Sequence, residues 1–494
     1  MRNKNLLILT LVLSLLALSI AACGAATPET ITVVETVELE KEVIKTVEVE
    51  KEVKVVETVE VVKEVEVVKE VEVEVTAAPA PITEAGEDDV VTVTWWGTER
   101  GRDTAATREL HFQLARAFEE SHPNTKIAVA LFPSRGFSNR VLTAIAAGEG
   151  PDVWYTYFAA DIATQGFLED LTPYIEASGI DPAQQWFPIG QQRAVYEGRY
   201  YGVPRDATAG FIAYNKDMFD AAGIAYPEAG WTINDYRDIA LQLTDAANDQ
   251  YGIGAIVGSP GCFQWSTFSY NMGADFVSPD GKMVAGYMDT PEAIDAFKFC
   301  LDLTAEDQVA APPGLQEQFG ELVFLSGKVG MQHIATWDLP PIREQAPFNW
   351  GIVAPPRFDE NSDGIAWTDS YVYYMSSDVE QKQRTWEFLE WLSGPEAGMI
   401  IAETGIWTPA VPEVWQAMGW PEDETLSVVW DELNKETRVP NYLRSQFYWD
   451  CVGSIFDDVW TNYVELGDRD VEGFIIPAVE DAQICLDDNY ESLE

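Results

Sequence analysis

The chain has 494 residues, with 82 acidic side chains against 31 lysines and arginines, for a formal net charge of −51. A field of that sign repels polyanions, and no basic patch offsets it, which argues against a nucleic-acid partner. Three histidines and the absence of CxxC or HExxH spacing argue against a zinc site.

From the amino terminus, Arg2 and Lys4 precede an apolar run at 6–20 (LLILTLVLSLLALSI), which closes in Ile20-Ala21-Ala22-Cys23. This is a secretory signal, too short and wrongly flanked to be kept as a membrane span. The I-A-A-C ending resembles a bacterial lipobox, in which the cysteine is diacylated and becomes the first mature residue. That resemblance implies an extracytoplasmic protein held to a membrane, or in a periplasm, by acyl chains on Cys23 rather than by a spanning helix.

A stalk follows over 24–75. Its repeats are ten residues long at first (VVETVELEKE, VIKTVEVEKE), then six (VVETVE, VVKEVE, VVKEVE). Val, Glu, Lys and Thr alone cannot build a packed core. Strict Val/Glu alternation fits extended chain, and valines three and four apart fit a weak coiled coil. In either form the segment reads as a spacer. A Pro/Ala/acidic linker at 76–89 (TAAPAPITEAGEDD) separates it from the folded body.

The body, from Val90 onward, is long enough for two lobes with a substantial core. It opens on an alternating strand, Val90 to Trp96, in which one of Trp95 and Trp96 faces the core and the other the opposite side. A helix with Leu110, Leu114 and Phe118 on one face follows, then a strand at 126–132, a helix at 141–150 and a strand at 152–155. Later come strands at 210–215, 329–333 and 370–375, helices at 232–244 and 379–392, and a mostly helical last ninety residues. The alternation predicts an α/β fold with a mainly parallel sheet, and ligands beyond the carboxyl ends of its strands. Cys262, Cys300, Cys451 and Cys485 are an even count in an oxidising compartment, which favours two disulfides. Of the three pairings, the sequence-near bridges 262–300 and 451–485 are expected.

At the level of ordered blocks the body resembles the family 1 extracellular solute-binding proteins of ABC importers. The blocks include TVTWWGT, RAFEESHPNTKIAV, TAIAAGEGPDVWY, GFLEDLTPYI, YEGRYYGVPRDATAGFIAYNKDMFDAAGI, WTINDYRDIALQLT, FLSGKVGMQHIATW, NWGIVAPP and WEFLEWLSGPEAGMIIAETGIWTP. The insert around Cys262 and the helices beyond about 415 depart from the pattern. The resemblance implies a two-lobe, periplasmic-binding-protein-like fold of type II, with lobes 90–207 plus 366–404 and 208–357 plus 405–494. The chain would cross between them near 207–209, 356–366 and 404–408. It also implies a monomer that captures a sugar without catalysis or cofactor and hands it to the permease subunits.

A sugar presents flat C–H faces and hydroxyl edges, so its pocket needs aromatic platforms and polar partners. The aromatic candidates are Trp96, Trp154, Tyr157, Trp337 and Trp367 at predicted strand ends, Trp407 after a helix, and Trp265 in the aromatic insert. The polar ones are Glu99, Arg135, Asp152, Arg205, Asp206 and Asp369. A secreted glycoside hydrolase would also need such platforms, together with two spaced carboxylates. Glycerophosphodiesters, polyamines and iron are the alternative solutes. The loop Asp359–Gly364 begins like a calcium loop, but Ser370 stands where the bidentate glutamate belongs, so it reads as an acidic surface turn.

If Cys23 carries the anchor, Cys23→Ser expressed in a bacterial host should lose metabolic labelling with fatty acid. Continued labelling would show that another residue is acylated.

Overall fold

The computed structural model describes residues 90–99, 104–156, 160–254, 262–320, 322–435 and 440–492. Cys23, the signal, the stalk, the linker and Tyr157 lie outside them. Apart from a two-residue hairpin at Val195–Tyr200, the strands in chain order are β1 (Val91–Thr98), β2 (Thr125–Phe132), β3 (Val153–Thr156), β4 (Gly202–Pro204) and β5 (Thr208–Asn215). They continue with β6 (Tyr251–Ile253), β7 (Val329–Ala335), β8 (Trp350–Val353), β9 (Thr368–Asp369) and β10 (Val372–Met375).

The first sheet has the order β2-β1-β3-β10-β4. β1 is parallel to β2 and β3, and the helices Thr104–Ser121 and Phe137–Ala146 supply the connections. β10 is antiparallel to both β3 and β4. The second sheet has the order β8-β5-β7-β6, with β9 attached to β5, and only β6 and β7 run parallel. The expectation of a mainly parallel sheet is therefore corrected to two mixed sheets. Strands that return from the other sheet arrive from the opposite end, so they pair antiparallel without a covering helix.

The chain changes sheets three times. It leaves the first between β4 and β5, at 205–207, and comes back between β9 and β10, at 370–371. The return lies beyond the 356–366 stretch expected from sequence, because Thr368 and Asp369 still pair with Ala209 and Thr208. After the helix Pro395–Thr404, Thr408 and Pro409 pass beside Ala207 and Asp206.

Alternation in β1 sends Trp95 into the core on one face, against His111, Tyr373 and Phe388. Trp96 goes to the opposite face, on Phe132. Trp231 is packing: it is buried, and its indole N–H donates to the Ala354 carbonyl at 2.8 Å. Thr232 and Asp235 form a capping box that starts the helix Ile233–Leu243. Near the carboxyl end, the helices Tyr448–Trp460 and Val471–Glu491 are joined by a Cys451–Cys485 disulfide, S–S 2.02 Å. The expected Cys262–Cys300 bridge is not formed. Cys300 keeps a free thiol on the inward stripe of the helix Pro291–Ala305, buried with Tyr236 and Phe297.

His333 is an unusual core residue of β7. Gly210 on β5 makes room for it, since a Cβ there would come within 2.9 Å of the imidazole. The ring's Nε2 pairs with the Thr267 hydroxyl at 3.0 Å, and burial lowers its pKa to about 3. The unfolded chain therefore protonates first, and the stability from a neutral His333 is lost as pH falls from about 6.5 toward 3. Between pH 7 and 5 this amounts to about 2 kcal/mol. In His333→Gln, urea unfolding should lose about that much of its dependence over the same interval. An unchanged dependence would place the imidazole in water.

Candidate functional site

The carboxyl ends of β1, β2 and β3 meet where the three crossings run. Glu99 follows β1, where its backbone N–H reaches the Phe132 carbonyl at 2.9 Å. Its carboxylate is paired with Arg108 on the first helix. Thr98 donates its backbone N–H to the Tyr155 hydroxyl at 2.8 Å, which fixes that ring at the end of β3. Beside it, the guanidinium of Arg205 is surrounded by the rings of Tyr155, Tyr371 and Trp407. Trp407 also sets its edge on His111, 5.2 Å between ring centres.

Two buried ion pairs hold this region. Arg205 pairs with Asp206 at 2.6 Å, and Arg193, from the helix Pro188–Ala194, pairs with Asp369 at 2.9 Å. Asp206 further accepts the Tyr371 backbone N–H at 2.8 Å, and its carbonyl accepts the Ser370 hydroxyl at 2.5 Å. Arg193 also reaches the Leu443 carbonyl at 3.3 Å, which ties in the carboxyl-terminal segment. Burial pushes the Asp369 carboxyl up to about 6, although Arg193 and the Ser370 N–H draw it the other way. Burial lowers His111 to about 4, so its ring is neutral, with Nδ1–H donating to the Thr107 carbonyl at 2.7 Å.

The opposite wall comes from the second sheet. β7 ends in a short turn, Thr336–Asp338, that presents Trp337 with 41% of its surface exposed. Its ring lies edge-on to Trp367, 5.8 Å between centres. Trp367 is only 4% exposed and donates its indole N–H to the Tyr442 hydroxyl at 2.8 Å. The hydroxyls of Thr336 and Thr368, next to these two tryptophans, are buried with no hydrogen-bond partner among the described residues. An apolar platform with unsatisfied hydroxyls beside it can take up a ligand that has both an apolar face and hydroxyl groups.

Trp337, Trp367, Trp407, Arg205, Asp206 and Asp369 are thus brought to the crossings, and Glu99 to the neighbouring strand end. Asp206 and Asp369 are spent on arginines, so they serve the framework rather than offering free acceptors. Three other candidates, Asp152, Trp154 and Trp265, are corrected. Asp152 sits at the amino end of β3, away from the strand carboxyl ends, and accepts from the Thr94 backbone N–H at 2.6 Å and its hydroxyl at 2.7 Å. Trp154 is fully buried against Tyr374, and Trp265 is core between Phe297 and Phe456. Trp96 is half-buried on Phe132 in the cluster that contains Trp154. Arg135 is exposed in the turn after β2. The Asp359 loop is a surface turn in which Asp359 accepts the Asn361 N–H at 2.8 Å. Sequence reasoning missed Arg193, Tyr155 and Tyr442, whose roles depend on partners far away in the chain. Only Tyr155, at a strand end, carried a local signal.

A model of the bacterial extracellular solute-binding protein family matches residues 103–399, more than half the chain. The chain belongs to that family. Among its relatives, a Brucella abortus protein provisionally named a binding protein is 27% identical over 301 residues, spanning 58% of this chain and 69% of the relative. The erythritol/L-threitol-binding protein of Mycolicibacterium smegmatis is 23% identical over 322 residues, spanning 58% and 64%. The fold matches the solved sugar-binding protein MalE of Xanthomonas citri with a TM-score of 0.69 at 20% identity, covering 81% of this chain and 98% of that one. Family membership makes this an extracytoplasmic solute-binding protein. No helix among the described residues is long and apolar enough to cross a membrane.

Asp369→Asn would leave Arg193 buried with its charge uncompensated. Chemical denaturation should show a loss of about 3 kcal/mol or more. A loss below about 1 kcal/mol would mean that water reaches the pair.

Proposed function

We propose that the chain is the solute receptor of an ABC importer, capturing a carbohydrate between its two sheets and passing it unaltered to the permease. The observation that carries this reading is Trp337, an indole held edge-on by a buried neighbour and left 41% exposed beside two threonine hydroxyls without a hydrogen-bond partner among the described residues. Leaving so large an apolar face in water is costly unless something covers it part of the time, and the C–H face of a sugar would do so. The Mycolicibacterium relative, named for erythritol and L-threitol, and the solved Xanthomonas protein of similar fold, named for sugar, support the same class. In this reading the two lobes are built on the two sheets and turn about the segments 205–207, 370–371 and 405–409. Closure over the solute is a hinge motion. Acyl chains on Cys23 hold the monomer at the membrane, and the stalk gives it reach.

Thermal melts across mono- and oligosaccharides and polyols, with glycerophosphodiesters and polyamines as contrast, test the class, because a bound ligand raises the melting temperature by mass action. A shift with a phosphodiester or polyamine and with no sugar would reject the carbohydrate reading. With the best sugar from that panel, Trp337→Ala should weaken calorimetric binding by about 1–3 kcal/mol and leave the melting temperature close to wild type. Trp367→Ala should instead lower stability by about 3 kcal/mol, as loss of a buried aromatic. Unchanged affinity in Trp337→Ala would remove the platform from the site.

A further inference from the structure

The three crossings converge on one side chain. Arg205 lies in the first, and its guanidinium carbon is 4.6 Å from the ring centre of Tyr155, 4.1 Å from Tyr371 and 4.2 Å from Trp407. These rings come from separate parts of the chain. Tyr371 lies in the second crossing, Trp407 in the third, and Tyr155 at the end of β3, where Thr98 anchors its hydroxyl. The same segments are joined by backbone. Arg205 N–H donates to the Tyr371 carbonyl at 2.8 Å, and Ala207 N–H to the Thr408 carbonyl at 2.9 Å. The Thr408 hydroxyl returns a bond to the Ala207 carbonyl at 2.7 Å. Arg205 is 6% exposed, and Asp206 takes the N–H groups on one edge, Nε at 3.1 Å and Nη2 at 2.6 Å.

We propose that Arg205 is a positioning residue for solute capture, one that clamps the three crossings to the end of β3 and so sets how freely the two sheets turn about them. The inference rests on the two-lobe reading above, and Arg205 need not touch the solute. A planar guanidinium suits this task because its faces stack on rings while its edge donates to a carboxylate; an ammonium group cannot do both. A role as receptor for an anionic solute fits less well, since its surroundings are already rings and Asp206.

Hydrogen exchange followed by mass spectrometry on the ligand-free chain tests the clamp. Trp407→Leu removes the wall that comes from the third crossing and keeps the Arg205–Asp206 pair; Trp407→Phe keeps a ring. In Trp407→Leu the amides of Arg205 and Tyr371, in segments that carry no mutation, should exchange about tenfold faster. Trp407→Phe should stay near wild type, and so should amides of β1 such as Val93. Acceleration confined to 405–409, spread equally through β1 and β7, or absent would overturn the proposal. Arg205→Lys supplies a second arm. It should speed exchange at Tyr371 and Ala207 and broaden the small-angle scattering distance distribution, and wild-type behaviour in both would also overturn it. Neither arm adds a sugar, so failure of the carbohydrate reading shows up separately in the melts and titrations.

Discussion

Buried charge at the crossings is the constraint on which the rest of this structure depends. Arg193 with Asp369 and Arg205 with Asp206 lie out of water where the chain passes between its sheets. Removing either member of such a pair strands a charge, so the pairs tolerate few arrangements of the segments that carry them. Arg193 comes from a helix, Asp369 from a strand attached to the second sheet, and the Leu443 carbonyl from the carboxyl-terminal region. One guanidinium therefore brings together stretches separated by up to 250 residues.

The apolar packing is compatible with that arrangement without dictating it. One cluster fills the face of the first sheet that holds Trp95, and a separate one fills the face that holds Trp154. A third includes Phe187 and Ile189 beside Phe211, Val329 and Trp415, so the helix that carries Arg193 shares its core with the second sheet. Hydrophobic burial supplies most of the stabilisation but is non-directional. Hydrogen-bonded charges are directional, and they decide which strand ends face one another.

Function follows from what these charges leave free. Asp206 and Asp369 are consumed by arginines, whereas the Trp337 ring stays 41% exposed and the hydroxyls of Thr336 and Thr368 have no hydrogen-bond partner among the described residues. A solute-binding protein needs a framework that stays put and a surface that can be covered and uncovered. Here both draw on the stretch Trp367–Tyr371 and the turn Thr336–Asp338.

Much of the fold was legible in the chain. Strand and helix periods located most elements, and alternation in β1 divided Trp95 from Trp96. The ordered blocks pointed to the family. All of these are local properties, set by backbone geometry and side-chain period over a few residues. Strand direction was not local: β10 is antiparallel because the chain has first visited the other sheet. Nor was the fate of individual polar and aromatic residues. Asp152 and Asp369 are alike in sequence terms, yet one binds Thr94 and the other Arg193, while of two candidate tryptophans Trp265 is buried and Trp337 is exposed. Which charge finds a partner, and which ring is left open to a solute, depends on contacts between residues far apart along the chain, and only the tertiary structure decides those.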